Sequence, residues 1–332
     1  MRSVVIAGGA GMLGRLLVPY LNERGWRVAV LSRGNEGVPG AEVIGWDGRS
    51  PGLWTDALEN AHAVINLAGR SVNCRYTARN RREMMDSRIE STRVLGEAIG
   101  GCRCPPRVWL NSSTATIYRH TFGPPHEEVS GEIGASAEAH DAFSIEIATA
   151  WEKAFFDAAT PLTRKVAMRT AIVLADVPGN MVRILRTMAR LGLGGKMGSG
   201  SQYVSWIHAL DFCRAVEFLL NNETLAGAVN LAAPVPVTNR EMMGLVRRWV
   251  GAPFGLPATR WMLEAGAVLM RTETELVLKS RRVVSRKLPE AGFRFQFTEM
   301  QAALAELLGG PSGQKVLRQA KTGNAGLRTS GG

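Results

Sequence analysis

The sequence predicts an α/β fold: a doubly wound parallel sheet, with a smaller α+β domain on its carboxyl side. Three observations lead there. Short apolar, β-branched runs alternate with helical periodicity through residue 175, a cluster of glycines follows the first run directly, and the pattern changes beyond about residue 176. Apolar runs without polar alternation read as strands buried on both faces, which the intervening helices must cover.

In chain order, residues 4–7 read as the first strand and 13–24 as a helix stopped by Gly25. Strands are expected at 27–31, 63–67, 108–111 and 165–174, and helices at 83–99 and 142–158. Val43–Asp47 precedes another helical stretch. Past 176 come a glycine-rich loop (Gly192 to Gly200), a strand at 203–207, a helix at 210–220, a strand at 229–232 and a helix near Asn239–Val250. The expected organisation is a cofactor domain over 1–175, to which later segments can return, a smaller substrate domain over 176–308, and a disordered tail over 309–332.

With 332 residues, the chain is long enough for about two domains. Its amino terminus, MRSVVIAGGA, reads as a buried strand and not as a signal peptide. No uninterrupted apolar run reaches the roughly 18 residues that a membrane span needs. Cytoplasmic location and no membrane partner are the expectations. The net charge of +11 raises the question of nucleic acid. Four of those charges (Lys315, Arg318, Lys321, Arg328) sit in the acid-free tail, and the Arg-rich stretch 70–93 also holds Glu83, Asp86 and Glu90. No aromatic platform accompanies the charge, so no nucleic-acid partner is expected. Cys102 and Cys104 lack the spacing of a zinc or redox pair, and no metal site is expected.

The most specific motif is Gly8-Gly9-Ala10-Gly11-Met12-Leu13-Gly14, between the first strand and the first helix. Glycine there allows a tight turn, close approach of backbone amides to a pyrophosphate, and close packing of helix on strand. The helix amino terminus adds free N–H groups and partial positive charge. This is the Rossmann-type dinucleotide arrangement. At the end of the second strand, where an acid would hold the ribose hydroxyl of NAD, stand Ser32 and Arg33. Arg33 can pair with a 2′-phosphate, so NADP(H) is predicted over NAD(H), although Glu36 is close enough in sequence to leave NAD(H) open.

Several segments together carry a resemblance. Asn66-Leu67-Ala68-Gly69 resembles the N-x-A-G turn of short-chain dehydrogenases. Ser112-Ser113-Thr114-Ala115-Thr116-Ile117-Tyr118 resembles the segment of extended members that carries the substrate-orienting hydroxyl. With Gly192 to Gly195, Gly198 to Gln202, Trp206-Ile207-His208 and Asp211, residues 1–308 resemble the atypical extended group of epimerase family proteins, which have a small carboxyl-terminal domain of unknown function. The resemblance implies NADP(H) contacts at Gly8, Gly11, Met12, Leu13 and Gly14 on the pyrophosphate and at Ser32 and Arg33 on the 2′-phosphate. It further implies contacts at Leu67, Ala68, Gly69, Glu83, Arg88 and Ser112 along the cleft and at Val173 near the nicotinamide. It points to Gln202, Trp206 and His208 for a small-molecule substrate.

The same resemblance exposes a gap. The superfamily uses a Tyr to move a proton, with a Lys four residues later that lowers its pKa. With Glu152 in register, those places hold Ser144 and Ala148. Thr114 and Tyr118 are the candidate replacements, and His208 has an ordinary pKa near neutrality. Two readings follow: an NADP(H)-dependent oxidoreductase or epimerase-like enzyme acting on a small carbonyl or hydroxyl compound, or a non-catalytic NADP(H)-binding regulatory protein. Oligomeric state is not encoded in any motif.

Overall fold

The computed structural model describes residues 2–34, 36–259, 261–264 and 273–309. The tail expected to be disordered lies outside the described residues, apart from Gly309.

A seven-stranded parallel sheet forms the centre, in the order β10-β6-β5-β4-β1-β2-β3. Its strands are β1 (Arg2–Ala7), β2 (Trp26–Ser32), β3 (Ala41–Gly45), β4 (Ala63–Asn66), β5 (Val108–Thr114), β6 (Arg164–Thr170) and β10 (Gly227–Leu231). The two-residue period of a strand explains why these runs are apolar throughout. Val4 and Ile6 of β1 pack on one face with Val108, Leu110 and Val166, and Val5 and Ala7 pack on the other with Trp109 and Ala167. Helices α1 (Met12–Asn22) and α5 (Ala209–Asn221) contribute Leu17, Leu21, Phe212 and Val216 to the first face. Helices α2 (Ala78–Gly101) and α3 (Ala142–Asp157) cover the second with Val94, Leu95, Ile99 and Phe155. The chain is thus a Rossmann-type doubly wound sheet, and β10 and α5 belong to it although they follow residue 176.

The strand expected over 165–174 is broken. Main-sheet pairing ends at Thr170, and β7 (Ile172–Leu174) leaves to pair with β9 (Trp206–His208). Ala171 donates to the Leu231 carbonyl and Ile172 to the Ser205 carbonyl, so hydrogen-bond partners change sheet within one residue. The strand expected over 203–207 is likewise split at Ser205, whose hydroxyl donates toward the carbonyls of Arg281 and Val283. β8 (Tyr203–Val204) pairs antiparallel with β11 (Val237–Thr238). Two helices pack beside these short strands, α4 (Met181–Arg190) and α6 (Asn239–Val250). The α4 helix was not expected. Its buried face is only Val182, Leu185 and Ala189, set among arginines, with Asn180 capping its first turn.

Candidate functional site

The sharp turn after β1 opens a cleft of about 780 Å³ at the carboxyl edge of the sheet. Gly8 sits at φ +73, and a methyl group on it would meet the Ala68 backbone at 2.8 Å. At Gly14 a methyl group would collide with the Gly9 backbone, so α1 lies closer to β1 than any side chain permits. No side chain caps α1, whose N-cap is Gly11. Its first amides therefore lie at the cleft without a side-chain acceptor, as a phosphate site requires. Facing this turn, Asn66 Oδ1 accepts from the Ala68 amide at 3.0 Å, and Asn66 Nδ2 donates to Asn111 Oδ1 at 2.7 Å. These bonds fix the Asn66-Leu67-Ala68-Gly69 bend.

Of the residues predicted to hold cofactor, Gly8, Gly11, Ser32, Arg33, Leu67, Ala68, Gly69 and Glu83 line this one cleft. Ser32 is buried and Arg33 is exposed; among the described residues no acid pairs with Arg33. Glu36 lies on the rim but is drawn to Arg15 at 3.1 Å. Glu83 pairs with both Arg70 and Arg79. The cleft residues that the sequence reading missed include Asp47, Arg49 and Arg70. The first two follow β3 around Gly48, so extending the strand-end rule to the third strand would have found them. Asp47 Oδ1 accepts from the Arg49 and Ser50 amides at 2.8 and 2.9 Å, bonds that hold its carboxyl below the usual range.

Other predicted residues stand beside the cleft. Met12 is partly exposed, and its sulfur accepts from Asn180 Nδ2 at 3.4 Å. Leu13 and Val173 pack into the apolar face shared with α1. Half-buried Ser112 lies on β5, its carbonyl engaged by Asn111 at 2.8 Å. Arg88 lies behind Gly69, donates to the Met84 carbonyl at 3.0 Å and rests over the Trp151 ring. Burial draws this guanidinium down to about 10.

The candidate proton-transfer and substrate residues fare differently. Thr114 stands at the end of β5, its hydroxyl accepting from the Thr116 amide at 3.1 Å. Tyr118 is buried, receives Arg169 Nη1 at 2.9 Å and donates to Asn230 Oδ1 at 2.9 Å. Burial raises its pKa, and a phenol committed on both sides has no proton to offer a substrate. Trp206 is fully buried with its indole N–H on the Val235 carbonyl, so it is core and not a substrate platform. His208 is also interior: Nδ1 accepts the Leu210 amide, Nε2 meets Glu306 at 3.0 Å, and the ring packs on Phe297. Gln202 is among the residues that line a cavity. The carboxyl-terminal segment fills the place vacated on α3, where Ser144 donates to Glu275 Oε2 at 2.7 Å. Ala148 is sealed in a small core with Tyr118, Ala171 and Ala232. No local sequence signal ties Glu275 to residue 144, 131 positions earlier.

Among the described residues no group of three potential ligands is placed to hold a metal, and no helix is long and apolar enough to cross a membrane.

A glycine cradle at an uncapped helix, on a doubly wound sheet, defines a dinucleotide-binding protein of the extended short-chain dehydrogenase/reductase type. The chain belongs to the NAD dependent epimerase/dehydratase family, whose model matches residues 4–232; a domain of unknown function, DUF1731, matches residues 258–307. It is 32% identical over 313 residues to the epimerase family protein SDR39U1 of Bos taurus, covering 92% of this chain and 99% of that protein. It is 28% identical over 310 residues to epimerase family protein SAR0825 of Staphylococcus aureus, covering 93% and 99%. The crystal structure of human epimerase family protein SDR39U1 (isoform2) with NADPH is similar at a TM-score of 0.81 and 28% identity, covering 93% and 99%.

Proposed function

We propose that this chain is a cytoplasmic, NADP(H)-dependent oxidoreductase or epimerase-like enzyme acting on a small carbonyl or hydroxyl compound. The observation that carries the cofactor choice is Arg33: an exposed guanidinium without an acid partner among the described residues, beside buried Ser32, in the same cleft as the glycine cradle. Gly8 and Gly11 with the α1 amides would hold the pyrophosphate, Arg33 and Ser32 the 2′-phosphate, and Leu67 and Ala68 the apolar wall. Arg88, a half-buried cation, would serve the cofactor from behind Gly69. Glu36, on the rim of the same cleft, is paired with Arg15. The human protein with NADPH supports the same choice. When bound, the nicotinamide supplies two-electron redox chemistry that the side chains lack. Thr114, at the end of β5, would orient the substrate oxygen.

A specific observation favours the second reading, a non-catalytic NADP(H)-binding regulator: Ala148 is fully buried, so no lysine occupies the usual place. A cofactor-consumption screen over a panel of aldehydes and ketones separates the two. Turnover above background is the expected result. Tight NADPH binding with no turnover on any member would favour the regulator, and tighter binding of NADH than of NADPH would overturn the cofactor choice.

A further inference from the structure

A second cavity, of about 450 Å³, lies between the loops that follow β4 and β5 and the segment around Glu275. Tyr76, His120, Phe122, Phe143, Gln202 and Glu275 are among the side chains lining it. Two polar atoms on its wall lack hydrogen-bond partners although each is buried: Nε2 of His120 and Oε1 of Glu275. Buried polar atoms are nearly always satisfied, so two orphans in one cavity call for a physical account.

Their chemistry is complementary. His120 Nδ1 accepts the Ser280 backbone N–H at 2.9 Å, which fixes the tautomer and leaves the proton on Nε2. Burial, opposed by Glu138 and Asp141 and assisted by Lys279 and Arg281, holds this imidazole below its usual pKa and therefore neutral near pH 7. The His120 side chain is 7% exposed. Glu138 comes no closer than 3.8 Å to Nε2, too far for a hydrogen bond, and its own side chain is 71% exposed. Glu275 is engaged on Oε2 by Ser144, whereas Oε1 has only Arg281 at 3.8 Å. Two side chains that line the cavity thus each keep one unused polar atom, a donor on His120 and an acceptor on Glu275. The aromatic pair Tyr76 and Phe143, packed edge to face at 5.3 Å, supplies an apolar flank.

We propose that this cavity binds a small compound carrying both a carbonyl oxygen and a hydroxyl group, of the α-hydroxy ketone class, with His120 Nε2–H donating to the carbonyl and Glu275 Oε1 accepting from the hydroxyl. The proposal rests on the enzyme reading above and gives it a substrate class; Tyr76 of this cavity follows Gly69 and Arg70 of the cofactor cleft in one loop.

The probe is α-hydroxyacetophenone, with acetophenone as the analogue lacking the hydroxyl. Nitrogen-15 spectra of histidine-labelled protein, saturated with NADPH, follow the Nε2 resonance of His120, assigned by its disappearance in His120→Phe. The hydroxy ketone is expected to move that resonance, to bind about tenfold more tightly than acetophenone, and to lose about tenfold in affinity in His120→Phe. An unmoved His120 resonance overturns the proposal, and equal affinity of the unaltered protein for the two ketones does so even if His120→Phe does not fold. So does a shift of His120 Nε2 in ligand-free Glu138→Ala, since the donor would then already be in use. NADPH fluorescence titration of the same samples keeps the two readings apart: cofactor binding with no ketone response sinks this site alone, and absent cofactor binding sinks the enzyme reading.

Discussion

Arg33 and Arg169 are both cations, but their surroundings set opposite tests. Arg33 is solvated and its partner would come from outside the chain, so Arg33→Ala should leave stability unchanged. NADPH affinity should fall about tenfold, the loss of one charge-assisted contact, with NADH affinity moving less than twofold. Parallel fluorescence titrations check this, and equal losses for both cofactors would contradict it. Arg169 is buried and grips Glu152 with two bonds of 2.8 and 2.7 Å, while Ser113 donates to the same carboxylate. Arg169→Met strands an interior anion and should cost about 3–5 kcal/mol in urea denaturation. The double variant with Glu152→Leu should recover part of that loss; no recovery would mean that the arginine stem, and not the charge, was the contribution. At this scale the sequence was legible where backbone geometry dictates the residue, as at Gly8, and where a strand end exposes it, as at Arg33. It misled where side chains were read from the resemblance alone. Trp206 and His208 fit the motif yet lie in the interior, because their strand β9 is covered by the helix Met300–Leu308 and by Phe297.

Among the elements, α1 shows how close packing and ligand binding share one constraint. Gly14→Ala pushes a methyl group into the Gly9 backbone. The helix must then back away from β1, at a cost of about 3 kcal/mol, and carry its amides out of register with the cleft. Chemical denaturation and NADPH titration should therefore report losses together; normal stability with weak binding would contradict the packing argument. Main-sheet strands and their helices were readable because continuous apolar runs and 3.6-residue periods survive in any context. The strand break at Ala171 was not, since apolar runs at 166–168 and Ile172–Leu174 flank it and only their partners differ. Helix α4 was legible too, from the helical spacing of Val182, Leu185 and Ala189, and was passed over among its arginines. Sequence patterns report burial well and report which neighbour does the burying poorly.

On the scale of the whole molecule, pH dependence follows from several burials at once. Burial lowers His62, His120 and His126 below their ordinary value of 6.5. The unfolded chain takes up protons at these sites before the folded one does, so the stability they contribute above pH 6.5 is lost as pH falls toward their folded values. Glu275, which burial raises, acts in the opposite sense: it releases its proton at higher pH when folded than when unfolded, and its contribution below its ordinary 4.5 disappears as pH rises through its folded value. Between about pH 7 and pH 6 the histidines of the unfolded chain take up protons that the folded ones refuse, so the melting temperature should drop on acidification across that window; a rise would contradict the assignment.

The buried ion pair between Lys279 and Asp141, 2.6 Å apart and inaccessible to water, has a kinetic implication. Lys279 also donates to the Thr116 carbonyl, 163 positions earlier, and neighbouring Ser280 and Arg282 bond to Thr121, His126 and Gly123. During synthesis, Asp141 and these loops emerge long before their partners are translated. The sheet can assemble early from local crossovers, while the cavity beside α3 has to wait for the late-arriving strand of chain that closes it. Nascent chains halted ahead of position 279 should accordingly bind nucleotide before they acquire a finished second pocket.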